Sequence, residues 1–173
     1  QYTFDILAKN GEGIIATSLY SQKYTQSLQP GVPTLYAIGS TSMTIEINGN
    51  NNPANTSYAI QVKASDDYAK YIQIDGSLGD DAVYQTTSTW NMPVTALGLS
   101  PNIQYTVKVR ASNGDNVPTL FSPEAQKYTL TNMLDAPILH NIEITSITVD
   151  FDSKGNPFFD TTYALQINGG GFV

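Results

Sequence analysis

The stretch Leu99-Ser100-Pro101-Asn102-Ile103-Gln104-Tyr105-Thr106-Val107-Lys108-Val109-Arg110-Ala111 decides how this chain is read. From Gln104 onward apolar and polar residues alternate. Tyr105, Val107, Val109 and Ala111 share one face, and Thr106, Lys108 and Arg110 share the other. A period of two marks a strand with one face buried. Turn residues bracket it, Ser100-Pro101-Asn102 before and Ser112-Asn113-Gly114-Asp115 after.

The same pattern stands at the start of the chain. Gln1 matches Gln104, Tyr2 matches Tyr105 and Thr3 matches Thr106. Ala8, Asn10 and Gly11 then match Ala111, Asn113 and Gly114, and Glu12 meets Asp115. One residue of drift brings Gln22-Lys23-Tyr24-Thr25 onto Gln126-Lys127-Tyr128-Thr129. At that offset Pro33, Leu35, Thr41, Ser42, Thr44 and Pro53 meet Pro137, Leu139, Thr145, Ser146, Thr148 and Pro157. One more insertion aligns Tyr58-Ala59 with Tyr163-Ala164 and Gln61 with Gln166. The drifts fall between periodic segments, where loops absorb insertions.

The unit is about a hundred residues long, the size of one β-sandwich. One complete copy spans 32–131. Residues 1–31 read as the last two strands of a preceding copy. Residues 136–173 read as the first three strands of a following one, closing on Gly169-Gly170-Gly171. The linkers Gln29-Pro30-Gly31-Val32-Pro33 and Leu134-Asp135-Ala136-Pro137 both end on proline, which stiffens a junction.

Within the complete copy, strands are expected at Pro33–Ile38, Thr41–Ile47, Ser57–Lys63, Ala69–Ile74, near Val83-Tyr84, at Pro93–Leu97, Gln104–Ala111 and Gln126–Leu130. Short strands at regular spacing with turn signals between them predict an all-β, antiparallel sandwich.

Composition agrees. Only 13% of the 173 residues are charged, and Tyr occurs eleven times. Residues of β-surfaces and turns dominate, and no window has the mixture of a good helix. The net charge of −7 argues against nucleic acid and against anionic membrane surfaces as partners. There is no Cys, so redox compartment is not legible from pairing. Low charge with abundant Thr, Ser and Asn leans towards an extracellular, secreted or cell-surface setting. Asn55-Thr56-Ser57 has the form of a glycosylation sequon, read here as a chance match in an Asn- and Thr-rich chain.

Leu99, Pro101 and Tyr105, followed by the alternating strand and Asn113, resemble the signature of the fibronectin type III domain. In that family these three residues form the tyrosine corner, whose hydroxyl bonds back to nearby backbone. The resemblance covers essentially the whole chain. It implies an immunoglobulin-like sandwich in tandem repeats, of the kind met in bacterial surface or secreted proteins. The family's second strand usually ends on Trp; here that place holds Ile47 and Phe151, and Trp90 lies elsewhere.

No residue cluster announces a reaction. His140 is the only His, and its counterpart is Tyr36, so it reads as a surface residue. No Ser or Cys nucleophile has a partner arrangement. Asp66-Asp67, Asp80-Asp81 and Asp115 offer oxygen ligands for Ca2+, but without the spacing of a calcium loop they read as solvated acids, and no cofactor is expected. Tyr20, Tyr24, Tyr36, Tyr68, Tyr71 and Tyr84 exceed what one core needs and raise the question of a sugar platform. The loops carrying Asn50, Asn51, Asn52, Asn113 and Asp115 are where partners are expected to bind.

The chain therefore reads as non-catalytic, a structural module of an extracellular rod or filament. Its expected partners are neighbouring copies of the repeat, in the same chain or in adjacent subunits. The alternatives are an adhesin module recognising carbohydrate or surface protein, and an accessory region of a secreted polysaccharide-degrading enzyme. The sequence favours a window on a longer array over a subunit completed by its neighbours.

Overall fold

A computed structural model describes residues 1–65 and 67–167. Asp66 and Gly169-Gly170-Gly171 lie outside the described residues. Among the described residues fifteen strands follow one another: β1 Tyr2–Phe4, β2 Leu7–Lys9, β3 Ile15–Thr17, β4 Ser21–Lys23, β5 Thr34–Tyr36, β6 Ser42–Glu46, β7 Ser57–Ala64, β8 Ala69–Ile72, β9 Leu78–Gly79, β10 Gln85–Thr86, β11 Val94–Leu97, β12 Gln104–Ser112, β13 Ala125–Tyr128, β14 Ile138–His140 and β15 Thr148–Asp150. No helix occurs among the described residues.

The centre of the chain is an antiparallel β-sandwich. One sheet has the order β11-β6-β5. The other runs β13-β12-β7-β8-β9, with β10 beside the start of β7. The alternation along β12 is realised: Tyr105, Val107, Val109 and Ala111 are buried, and Gln104, Thr106, Lys108 and Arg110 lie outward. They meet Met43 and Ile45 of β6, Ile60 and Val62 of β7, and Ile72 of β8 in one core. Each fully buried aliphatic side chain contributes about 1.5–3 kcal/mol.

Trp90 answers the absence of Trp from β6. Its ring is buried in this core, and its indole N–H donates to the Tyr58 carbonyl at 2.9 Å. The indole thus enters from the segment before β11. Two details depart from the expected strands. Pairing near Val83-Tyr84 falls instead on Gln85–Thr86, opposite Tyr58 and Ser57. The two-residue β9 had no sequence signal, because Leu78–Gly79 is too short to show a period.

The flanking segments reproduce pieces of the centre, but the two strands expected in 1–31 are each interrupted, giving β1 and β2 on one side and β3 and β4 on the other. Tyr2 pairs with Lys23 and Thr3 with Gln22 in β1–β4, as Tyr105 pairs with Lys127 and Thr106 with Gln126 in β12–β13. Thr34, Leu35 and Tyr36 oppose Glu46, Ile45 and Thr44 in β5–β6. Ile138, Leu139 and His140 oppose Asp150, Val149 and Thr148 in β14–β15 in the same way. Even the backbone strain recurs: Ala37 and Asn141 have φ of 45° and 47°, and Asn50 and Lys154 have 50° and 54°. Of the three strands expected in 136–173, two form among the described residues. Among the described residues the counterpart of β7 shows a single bridge position, Gln166. In the centre β7 is held between β12 and β8, and no such neighbours flank residues 161–167 among the described residues.

Candidate functional site

The loops at one pole of the sandwich are engaged by the chain itself. Residues 23–31 run across them. The Tyr24 N–H donates to Asp115 Oδ2 at 3.0 Å, and Lys23 Nζ stands 3.9 Å from the same oxygen. Asn113 Nδ2 donates to the Thr25 carbonyl at 3.0 Å. Asn50 Nδ2 donates to the Gln29 carbonyl at 2.9 Å, and Gln29 Nε2 donates to the Phe121 carbonyl. Asn51 is exposed with φ of 60°.

Asn52 grips the crossing segment at its centre. The Leu28 N–H donates to Asn52 Oδ1 at 2.7 Å, and Asn52 Nδ2 donates back to the Leu28 carbonyl at 2.7 Å. A carboxamide carries a donor and an acceptor side by side, so it satisfies both polar groups of one residue as a sheet partner would. Pro30, fully buried, and the Gly31 N–H bond to the Asn48 carbonyl at 2.9 Å complete the junction. Gly114 makes room for it: a Cβ there would stand 2.5 Å from the Tyr24 ring. Burial pushes the Tyr58 hydroxyl above its usual range beside this turn, a shift the nearby Asn52 carboxamide partly offsets.

A second junction has the same clamp. The Asn132 N–H donates to Asn156 Oδ1 at 2.6 Å, and Asn156 Nδ2 donates to the Asn132 carbonyl at 3.0 Å. Asn156 stands to Asn132 as Asn52 stands to Leu28. The turn geometry also repeats. Asn48 Oδ1 accepts from the Asn50 N–H at 3.1 Å, and Asp152 Oδ1 accepts from the Lys154 N–H at 2.8 Å. Here the ion pair of Lys154 with Asp135 at 2.5 Å ties the turn to the linker and raises the Lys154 pKa. At the opposite pole Asn102 Nδ2 donates to the Asp160 carbonyl at 2.8 Å and to Thr161 Oγ1 at 3.1 Å.

The tyrosine corner residues sit close to that pole. The Ser100 N–H donates to the Tyr105 hydroxyl at 2.8 Å, while Leu99 is buried. Thr129 Oγ1 donates to the Ser100 carbonyl at 2.6 Å and braces the corner from β13's far end.

The remaining candidates do not assemble. His140 Nε2 lies 2.6 Å from Asp150 Oδ2 across β14–β15, on an exposed surface. Among the described residues no group of three or more acids and histidines stands close enough to hold a metal. Asp67 caps the Tyr68 N–H, and Asp115 serves the junction. Tyr71 and Tyr84 apart, the tyrosines disperse. Tyr20 and Tyr68 are exposed at separate places, Tyr24 packs in the junction, and Tyr71 and Tyr84 flank Arg110. Burial raises the Tyr84 hydroxyl pKa, and the Arg110 charge partly opposes the shift.

Sequence reasoning missed Leu28, Asn48, Asn132 and Asn156. The available signal was Asn-Pro, which recurs as Asn52-Pro53 and Asn156-Pro157 at the repeat offset.

No family model matches this sequence, and no curated protein matches it. Solved structures similar to it include a fibronectin type III domain of human contactin 1. That domain is 16% identical with a TM-score of 0.48, the match covering 73% of this chain and 95% of that one. A domain of human fibronectin type III domain containing protein 3 is 19% identical with a TM-score of 0.43, covering 64% and 92%. The sixth such domain of the same protein is 14% identical with a TM-score of 0.41, covering 66% and 96%.

Proposed function

We propose that this chain is a non-catalytic structural module of an extracellular or cell-surface rod built of tandem fibronectin type III-like units. The recurrence of the two-bond asparagine clamp at two junctions is the observation that carries the reading. A junction built twice with the same bonds sets the same relation between successive units. A fixed relation repeated along a chain makes a regular rod, not a string of loosely linked beads. The short proline-ended linkers support the same reading, because they leave little slack to be taken up by motion. Neighbouring units are then the principal partners, and each loop that grips its neighbour is withdrawn from other ligands.

The test is the mass of the intact polypeptide in its native source under denaturing conditions. A mass many times that of these 173 residues supports a multi-unit rod. A mass equal to it overturns the tandem array.

A further inference from the structure

The outer face of the larger sheet carries a group of residues that neither the core nor the junction uses. Outward positions along β12 are Thr106, Lys108 and Arg110, and along β7 they are Gln61 and Lys63, with Ala59 on the same side but fully buried. Register places Arg110 opposite Ala59, Lys108 opposite Gln61 and Thr106 opposite Lys63. Three of the chain's eight basic residues therefore share one face of a molecule whose net charge is −7.

Arg110 is the centre of it. Its guanidinium carbon lies 5.0 Å from the Phe121 ring centroid, 5.4 Å from Tyr84 and 5.9 Å from Tyr71. The rings hold it in place through the attraction of a cation for π-faces. Its Nε is buried and has no hydrogen-bond partner, and no carboxylate pairs with the guanidinium among the described residues. Scarcity of acids does not explain this, since the chain has fifteen. Beside Arg110 the face continues into a shallow groove of about 260 Å³ lined by Gln61, Lys63, Thr106 and Lys108. Gln61 Nε2 donates to the Tyr71 hydroxyl at 3.2 Å and links the two parts. Among the described residues one acid enters, Glu124, at 3.6 Å from Lys108.

We propose that this face binds a carboxylated polysaccharide. The guanidinium, oriented by its three rings and with no carboxylate pairing it among the described residues, takes one uronic carboxylate through paired N–H donors. Tyr71 and Tyr84 give half-buried rings for the apolar face of a pyranose. Lys108 lies two residues along the strand from Arg110, about 7 Å away. With Lys63 it continues the row of positive charge for further carboxylates on the same polymer. A peptide ligand fits less well: peptides join sheets by strand addition at an edge, and here the strands are interior with their backbone groups already paired.

The test titrates the full 15N-labelled chain with a glucuronic acid hexamer, a neutral glucose hexamer and an oligoadenylate of similar length. The acidic sugar should shift amide signals of β7 and β12 and weaken as salt rises, while the neutral sugar leaves them in place. Arg110→Gln should weaken binding at least tenfold, with Trp90 emission reporting that the core is intact. Lys63→Gln, a change at an exposed position, should weaken it several-fold even where the Arg110 variant folds poorly. Lys9→Gln, on the exposed N-terminal hairpin, should leave it unchanged. The proposal is overturned if no shift appears at about 10 mM sugar, where a millimolar site is nearly saturated. It is equally overturned if the neutral hexamer or the oligoadenylate binds as well as the acidic sugar, or if Lys9→Gln weakens binding as much as Lys63→Gln.

Discussion

Tyr105 and Gly114 show how much rests on single atoms here. The Tyr105 hydroxyl accepts the Ser100 N–H while the ring is almost wholly buried. Removing the oxygen leaves a backbone donor without a partner, so Tyr105→Phe should destabilise the central sandwich by about 1–3 kcal/mol. Denaturant unfolding followed by Trp90 emission measures it, and an unchanged midpoint would take the corner out of the energetic account. Gly114 acts differently. An alanine Cβ would stand within 2.5 Å of the Tyr24 ring, so Gly114→Ala displaces that ring and not the core. The expected result is faster hydrogen exchange at the Tyr24 amide, now bonded to Asp115, with the sandwich's own stability barely altered. Equal loss of stability throughout would mean that the loop and core are one cooperative unit.

At the scale of elements, turns and linkers are held by side chains acting as backbone. Asn52→Ala deletes both bonds to Leu28 and should raise exchange at the Leu28 amide. Asn156→Ala should do the same at Asn132, and the two effects should match. Protection unchanged at either amide would show that the clamp follows from the linker path instead of fixing it. The turn after β8 has its own signature. The Ser77 hydroxyl, and then its N–H, hold the Asp75 carboxyl below the ordinary carboxylate range. The folded pKa thus lies under the unfolded one. The stabilisation is complete above the ordinary carboxylate value and is lost as pH falls through the folded value. Ser77→Ala should move the Asp75 midpoint back up in an NMR titration of side-chain carboxyls. A midpoint that stays put would assign the shift to some other group.

For the molecule as a whole, the flanking segments expose what the centre buries. Tyr2, Phe4 and Ile6 are 59%, 62% and 74% exposed, whereas their counterparts Tyr105, Val107 and Val109 are at most 5% exposed. Phe151, beside Val149 and Tyr163 in an open groove of about 420 Å³, is 50% exposed. Apolar area of this kind drives association. A polypeptide of these 173 residues should therefore self-associate with rising concentration in sedimentation velocity. Phe4→Asp with Ile6→Asp should reduce that association. A chain that stays monomeric at high concentration would show that these faces are not sticky enough to matter.

The longer strands of the centre, their facing and the recurrence of residues along the chain were legible in the residues themselves, because a period of two and a turn residue are local properties. The alternation of Tyr105 to Ala111 assigns that strand's buried face whatever it packs against, and the recurrence of Gln22-Lys23-Tyr24-Thr25 at Gln126-Lys127-Tyr128-Thr129 needs no coordinates. The two-residue β9 was not legible, and β10 was placed two residues too early, since two residues carry no period and their pairing depends on strands already in place. Nor was the role of Trp90, which reaches the Tyr58 carbonyl from 32 positions away. The Asn-rich turn and the Asn113 loop could be read as polar and available. Only the tertiary structure decides that they close on residues 23–31, because a carboxamide's partners are chosen by what folding brings alongside it. The same holds for Arg110. Tyr71, Tyr84 and Phe121 are spread widely along the chain, and it takes the packed sheet to gather their rings around a guanidinium that pairs with no carboxylate among the described residues.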